Sequence, residues 1–164
     1  MKKFNVLGPV VIMCGISGSG KTHYARILEK DDYIRLSTDT LIWEKVGSNL
    51  FSLSKEKQKQ LFSECRRQIL DMLECHLISG KKVVVDATHC KRAVRDEIRN
   101  LCAKLDINPI FLFCDADEKK LWNRLSKRKG TGPDDLLVTR DELAEYCRGF
   151  ERPATDEKDF IFIS

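Results

Sequence analysis

The chain has 164 residues, of which 42% are hydrophobic and 33% charged. This balance indicates one soluble globular domain and argues against disordered and membrane proteins. Its formal charge of +4 is well below that of a protein that coats nucleic acid. No apolar run approaches the roughly 18 residues of a membrane span. We therefore expect a single domain over residues 1–164.

Two features indicate a cytoplasmic protein. The first residues, Met1-Lys2-Lys3-Phe4, resemble the start of a signal peptide, but Gly8-Pro9 interrupts the apolar stretch that follows. The seven cysteines include no C-x-x-C pair, and most lie among apolar residues of predicted strands or helices. We interpret them as reduced core thiols of a reducing compartment rather than as metal or redox groups.

Short apolar runs alternate with helical patterns along the whole chain. Five runs predict strands, at residues 10–14, 33–36, 82–85, 109–114 and 159–163. Helices are predicted at residues 21–29, 40–46, 54–79, 91–105, 118–129 and 141–150. This alternation predicts an α/β fold, in which helices cover both faces of a parallel sheet. Residues 127–133 interrupt the pattern, and we expect a mobile loop there.

The clearest motif directly follows the first predicted strand. Gly15-Ile16-Ser17-Gly18-Ser19-Gly20-Lys21-Thr22 has the phosphate-binding pattern G-x-x-x-x-G-K-[ST] and opens a helix. In such a loop, backbone N–H groups and the helix dipole bind phosphate oxygens. Lys21 is expected to contact the β- and γ-phosphates, and the Thr22 hydroxyl to ligate Mg²⁺. The sequence thus predicts a site for ATP and Mg²⁺, formed by Gly15, Ser17, Gly18, Ser19, Gly20, Lys21 and Thr22.

Regulatory GTPases share this loop but need two further motifs, D-x-x-G and N-K-x-D. The matching strand end here is Asp86-Ala87-Thr88-His89. The nearest base motif, Ala103-Lys104-Leu105-Asp106, lacks the asparagine. These departures argue against a guanine-specific switch and leave a phosphotransferase or an ATPase.

Two acids are expected at the carboxyl edge of the sheet, where ligands of such sheets bind. Asp39 lies at a helix start, where it could accept the proton of an attacking hydroxyl or simply stabilise the helix terminus. Asp86 ends an apolar strand, where its carboxylate could act on Mg²⁺ indirectly, by holding the groups that ligate the ion. Alternatively, Asp86 or Thr88 could cap the next helix. Position alone leaves both pairs of alternatives open.

Two arginines lie beside the glycine-rich segment of residues 130–133. Arg124 and Arg128 are four residues apart in a predicted helix, so both could reach over bound phosphates and neutralise charge during transfer. An ordinary solvated basic face is the alternative.

Together these segments resemble the P-loop kinases of the 5′-hydroxyl polynucleotide kinase type, with zeta toxins and chloramphenicol phosphotransferase as more distant relatives. The matching segments are residues 15–22, Ser37-Thr38-Asp39, Asp86-Ala87-Thr88 and residues 124–130, in the same order over nearly the whole chain. The resemblance implies a P-loop NTPase fold with strand order 2-3-1-4-5. It also implies Asp39 as general base, with Arg124 and Arg128 in a short basic lid around residues 117–133.

One position departs from that family. Where polynucleotide kinases have an arginine that holds the 3′-phosphate of the acceptor, three residues after the base, this chain has Ile42. Arg35 or Lys45 could supply the contact instead. Nucleic acid would also want aromatic and basic side chains along a groove, and Tyr33, Trp43, Lys45 and Phe51 form no recognisable array.

The predicted function is therefore ATP-dependent transfer of the γ-phosphate to a hydroxyl acceptor. A polynucleotide 5′-hydroxyl ranks first among acceptors, and a small molecule such as a metabolite or antibiotic ranks second. A regulatory module that binds ATP without transfer is the alternative from another class, and the joint presence of Asp39, Arg124 and Arg128 favours the enzyme. The sequence does not indicate an oligomeric state.

Overall fold

One parallel five-stranded sheet forms the centre of the computed structural model, which describes residues 7–163. The signal-like residues 1–4 lie outside the described part. The strands are β1 (Val10–Cys14), β2 (Ile34–Ser37), β3 (Val83–Asp86), β4 (Ile110–Cys114) and β5 (Phe160–Ile163). Their order is β2-β3-β1-β4-β5, and each neighbouring pair is parallel. Both the sheet and its predicted order are confirmed.

Six α-helices connect and surround the strands. They are α1 (Lys21–Glu29), α2 (Thr38–Val46), α3 (Lys55–Ile78), α4 (Arg92–Lys104), α5 (Glu118–Leu125) and α6 (Arg140–Gly149). Two 3₁₀ turns, Gly47–Ser52 and Pro133–Asp135, were not predicted. Most predicted boundaries are within two residues, but α5 ends at Leu125 and not at residue 129.

Alternate strand residues face opposite sides of the sheet, and both sides are buried. Val10 and Val83 lie in one core with residues of α2, α3 and α4. Val11 and Val84 lie in the other, against α1. Burial of both faces explains why the strands are continuous apolar runs rather than alternating ones.

The predicted mobile loop is a hydrogen-bonded turn in the structure. The Asp135 carboxylate accepts hydrogen bonds from the backbone N–H groups of Lys129 and Thr131, at 3.0 and 3.2 Å. The Gly130 N–H donates to the Asp135 carbonyl oxygen. The segment between α5 and α6, residues 126–139, is called the lid loop below.

The cysteines are free thiols, and only some of them lie in the core. All seven cysteines are free, and Cys14, Cys65, Cys102 and Cys114 are buried as predicted. The other three were misjudged as core residues, because Cys75 is exposed and Cys90 and Cys147 are half-buried. Within residues 7–163, no helix is both long and apolar enough to cross a membrane.

Candidate active site

A cleft of about 850 Å³ lies at the carboxyl edge of the sheet. Residues 16–22, called the phosphate loop together with Gly15, line it alongside Asp39 and Asp86. Arg124 and Arg128 line it as well. The fold thus gathers residues from five separate segments of the chain around one space.

Two glycines allow the phosphate loop to turn tightly against its neighbours. Gly15 has φ 144°, and a Cβ there would lie 2.5 Å from the carbonyl oxygen of Cys114. Its N–H donates to the Thr88 carbonyl oxygen at 3.0 Å. Gly18 has φ 84°, and its Cβ would lie 3.0 Å from Leu125 Cγ. A side chain at either position would therefore be strained and would displace the loop.

The polar groups of the phosphate loop fit a nucleotide phosphate. The Ser19 Oγ is buried and has no hydrogen-bond partner in the described part of the chain. Leaving such a hydroxyl unpaired costs about 1–3 kcal/mol, so a ligand that pairs with it is favoured. Lys21 Nζ spans the loop and donates to the Ile16 carbonyl oxygen at 3.0 Å. Burial lowers the pKa of Lys21, while Asp86 and Asp39 act in the opposite direction.

A metal ion in this cleft would need ligands beyond the protein. No group of three or more His, Cys, Asp or Glu side chains within residues 7–163 could hold one. Thr22, the predicted Mg²⁺ ligand, lines the cleft at the start of α1. This sparse donor set fits Mg²⁺, which keeps waters and binds substrate phosphates in such sites.

Asp39 lies in the first turn of α2 without being its cap. The cap is Ser37, whose Oγ accepts a hydrogen bond from the Thr40 N–H at 3.3 Å. Asp39 is open to solvent through the cleft, but protein surrounds its carboxylate. This burial raises the pKa of Asp39 to about 6, although the nearby Lys21 charge lowers it. A carboxylate with such a pKa suits general-base chemistry near neutral pH.

Asp86 is held by Arg35, which the sequence analysis considered only as a contact for the 3′-phosphate of the acceptor. Arg35 donates to Asp86 Oδ2 from Nε at 3.0 Å and from Nη2 at 2.6 Å. Arg35 pairs in register with Val84, so its side chain lies on the same face of the sheet as that of Asp86. The capping alternative for Asp86 or Thr88 is wrong, because the cap position of α4 is Lys91 and no side chain forms a capping hydrogen bond there.

Both predicted lid arginines contact the phosphate loop. Arg124 Nη1 donates to the Gly18 carbonyl oxygen at 2.9 Å. Arg128 Nη1 donates to the Leu136 carbonyl oxygen at 3.0 Å and lies 3.5 Å from Ser17 Oγ. Arg128 reaches the loop from the turn after α5 and not from a shared helix face. Both arginines thus have partners in the protein, although Arg124 is exposed.

The carboxylate of Asp134 connects the lid loop to α1 and β2. Asp134 Oδ1 accepts a hydrogen bond from Arg35 Nη2 at 2.7 Å. Asp134 Oδ2 accepts from Arg26 of α1, through Nε at 3.1 Å and also through Nη2. Asp134 itself lines the cleft. No sequence signal links these residues, because about a hundred positions separate Asp134 from each arginine.

The segment after β3 is a rigid wall of the cleft. His89 is buried at φ 47°, and its Nδ1 lies 2.5 Å from the Met13 carbonyl oxygen. The guanidinium of Arg95 donates to the carbonyl oxygens of His89 and Glu151, at 3.1 and 3.0 Å. Burial lowers the pKa of His89 to about 4, so this ring is neutral at pH 7. We assign it a structural role.

Ile42 does not face the cleft. Its side chain is fully buried in the core formed with α3 and α4. Of the four residues considered for nucleic-acid contacts, Phe51 lines the cleft, whereas Tyr33, Trp43 and Lys45 lie outside it. Tyr33 instead donates its hydroxyl to backbone oxygens before β1. A side chain at position 42 points into the core, so the comparison of Ile42 with a phosphate-binding arginine is wrong.

One side of the cleft, here called the α3–α4 wall, is formed by Phe51, which the sequence analysis considered, and by four residues that it missed: Phe62, Arg66, Leu70 and Glu97. Its aromatic side chain Phe62 is 37% exposed. Its cation, Arg66, lies 3.7 Å from Glu97. The wall is therefore largely apolar, and its charges balance.

Comparisons with known proteins identify the family and the fold of the chain. The model of the AAA domain family matches residues 10–153. No curated protein sequence matches the chain.

Three solved structures have the same fold. A gluconokinase from Sinorhizobium meliloti 1021 superposes with a TM-score of 0.66 at 22% identity, over 94% of this chain and 81% of that chain. Chaetomium thermophilum Kti12 in complex with ADP-AlF3 gives 0.67 at 15% identity, over 95% and 89%. A chain of the Pnkp1/Rnl/Hen1 RNA repair complex gives 0.67 at 19% identity, over 91% and 46%. At these identities the likeness concerns the fold.

Proposed function

This chain belongs to the AAA domain family, and from that premise we propose that it is an ATP-dependent kinase that transfers the γ-phosphate to a hydroxyl acceptor. One observation carries the proposal: the phosphate loop and Asp39, with its raised pKa, face the same cleft. A phosphate donor and a base for the acceptor are the two requirements of this reaction.

The phosphate loop holds and orients the donor. Its inward N–H groups and the Lys21 ammonium bind phosphate oxygens, and the free Ser19 hydroxyl adds a polar contact. Thr22 would supply the protein oxygen for Mg²⁺, and Asp86, which Arg35 holds in place, would orient groups around the ion. Bound Mg²⁺ would neutralise charge on the β- and γ-phosphates.

Asp39 acts on the acceptor. It accepts the proton of the hydroxyl while the hydroxyl oxygen bonds to the γ-phosphorus and the bond to the β–γ bridging oxygen breaks, releasing ADP. Arg124 and Arg128 would exchange their bonds to the Gly18 and Leu136 carbonyl oxygens for phosphate oxygens. Their charge then stabilises the transferring group.

Two acceptor classes remain, and different observations support them. The polynucleotide 5′-hydroxyl is supported by the family resemblance and by the fold shared with a chain of an RNA repair complex. A small molecule is supported by the apolar, charge-balanced α3–α4 wall, which offers no free cations for a phosphate chain. The gluconokinase of the same fold is consistent with this second class.

The proposed location is the cytoplasm.

The test is phosphorylation of an acceptor panel with γ-labelled ATP. The panel contains 5′-hydroxyl DNA, 5′-hydroxyl RNA, nucleosides and small hydroxyl compounds, with the Lys21→Ala variant as control. We expect labelled product with the wild type and none with the variant. Tight ATP binding without transfer to any acceptor would instead support a regulatory ATP-binding module.

A further inference from the structure

Arg26 and Arg35 converge on the carboxylate of Asp134, which lines the cleft, while the two arginines lie behind it. Asp134 accepts hydrogen bonds from both guanidinium groups, one on each oxygen. Arg35 also binds Asp86. A pair of convergent arginines is a common way to bind a phosphate or carboxylate ligand. Here the chain supplies that anion itself.

The charges in this cluster cancel. Two guanidinium groups face the carboxylates of Asp86 and Asp134, and Arg26 also lies 3.6 Å from Glu29, so no net positive charge is left for a further anion. Although burial disfavours its charged form, the hydrogen bonds from Arg26 and Arg35 keep the pKa of Asp134 below its usual range. Asp134 is therefore ionised at neutral pH.

The cluster lies close to the base. Asp134 and Asp39 both line the cleft, and the charge of Asp134 acts on Asp39. An acceptor whose hydroxyl reaches Asp39 must therefore pass near Asp134. A phosphate or carboxylate next to that hydroxyl would meet the fixed negative charge of Asp134, because Arg26 and Arg35 are already paired and the two lid arginines are assigned to the transferring phosphate.

We propose that Asp134 determines acceptor specificity by occupying Arg26 and Arg35, so that this kinase selects acceptors with no anionic group beside the reacting hydroxyl. The inference rests on the proposed kinase function. It favours a neutral hydroxyl compound over the end of a polynucleotide, whose first nucleotide carries a phosphate on its 3′ side. Arg35 already binds Asp86 and Asp134. It therefore does not take the place of the phosphate-binding arginine that polynucleotide kinases have where this chain has Ile42.

Removing the carboxylate should convert the cluster into an anion site. With the protein saturated with a non-hydrolysable ATP analogue and Mg²⁺, inorganic phosphate is titrated calorimetrically into the wild type and Asp134→Ala. We expect the variant to bind phosphate about tenfold more tightly or better, as expected for freed charge-assisted hydrogen bonds. The nucleotide analogue keeps the phosphate loop filled, so the signal reports the arginine pair.

Kinetics with a matched pair of acceptors gives the second readout. The ratio of kcat/KM for a nucleoside 3′-phosphate to that for the same nucleoside should rise about tenfold in Asp134→Ala. Asp135→Ala is the matched control, since it removes an equal charge from the next residue, whose carboxylate binds Lys129 and Thr131 instead. Asp134→Asn, which preserves side-chain size, should change both readouts in the same direction to a smaller extent.

The outcomes separate this inference from the kinase proposal. A wild type that already prefers the 3′-phosphate, or a folded Asp134→Ala that gains no phosphate affinity, overturns the specificity role. Equal gains in Asp135→Ala would overturn it too, because any loss of lid charge would then suffice. If no acceptor is phosphorylated, the kinase proposal fails while the phosphate titration still decides whether Asp134 blocks an anion site.

Discussion

The Lys21 ammonium donates a 3.0 Å hydrogen bond to the carbonyl oxygen of Ile16, at the opposite end of its own loop. The side chain therefore crosses the concave side of the phosphate loop instead of extending into solvent, and only 8% of the residue is exposed. Its charge is held in a site of low polarity, where interaction with phosphate is strong.

Lys21→Ala should abolish phosphoryl transfer while the protein remains folded. The substitution removes the contact with the β- and γ-phosphates, and we expect kcat/KM to fall by about three orders of magnitude. Because burial of the ammonium is itself unfavourable, Tm should change little. Transfer of labelled phosphate and circular dichroism are the measurements, and near wild-type transfer in a folded variant would refute the role of Lys21.

Asp39→Asn should lower turnover by about two orders of magnitude at unchanged ATP affinity, since it removes the base and leaves the phosphate contacts. In the wild type, kcat/KM should rise with pH through about 6, where Asp39 ionises, and fall about tenfold per unit below it. A flat profile over this range would contradict the base assignment.

The stability of Asp39→Asn separates the base from a helix-stabilising role. The folded-state pKa of Asp39 is raised from 3.8 to about 6, so stability falls as the pH rises between these values and stays lowered above pH 6, where Asp39 is ionised in both states. Asparagine removes this loss of stability, and Tm at pH 7 should rise. A fall in Tm with intact turnover would instead assign Asp39 to the helix terminus.

Arg128→Ala should reduce kcat by about two orders of magnitude, because its guanidinium lies at the phosphate loop and can stabilise the transferring phosphate. Lys127→Ala is the control, since it removes a neighbouring exposed cation of the same lid loop. Equal losses in both variants would mean that general positive charge, and not the position of Arg128, matters.

Arg95→Met should strongly destabilise the protein. Arg95 and Glu157 form a buried ion pair at 2.7 Å, with side chains 1% and 2% exposed. Removing Arg95 leaves the buried Glu157 carboxylate with Arg99, at 2.8 Å, as its remaining cation, so the loss in urea unfolding at pH 7 should stay at or below the roughly 3–5 kcal/mol of a fully unpaired buried charge. The double variant Arg95→Met with Glu157→Gln should recover part of the loss, and equal stability of wild type and Arg95→Met would contradict the pair's role.

The ion pair of Arg95 and Glu157 also predicts how the stability of the protein depends on pH. Although burial disfavours its charged form, hydrogen bonds from Arg95 and the Ala154 N–H lower the pKa of Glu157 to about 2. The folded-state pKa lies below the unfolded one, so this contribution to stability is present above about pH 4.5 and is lost as the pH falls toward 2. The stability gap between wild type and Glu157→Gln should therefore narrow between pH 5 and pH 2.

Ile42→Arg should unfold the protein rather than alter acceptor choice. The position is fully buried in the core, and a charge there costs several kcal/mol without a partner. Glu44→Arg, at an exposed position of the same helix, should leave Tm almost unchanged. A stable Ile42→Arg protein with higher preference for a 3′-phosphate would restore the comparison with polynucleotide kinases.

Several features were determined by local sequence. The phosphate loop could be predicted because its strand, turn and helix are contiguous, and its glycines match backbone conformations that other residues rarely adopt. The five apolar runs predicted the strands, and the helical pattern over residues 54–79 predicted α3. Contacts between near neighbours in the chain fix all of these.

Tertiary structure alone decided the rest of the site. The spacing of Ile42 from Asp39 matched a family pattern, but packing against α3 turns that side chain into the core. Whether Asp39 caps a helix or faces the cleft depended on Ser37 taking the cap. Arg35 and Asp134 are separated by 99 positions and meet because the lid loop folds back over the sheet edge. Such contacts depend on how distant segments pack, and no local pattern of residues encodes them.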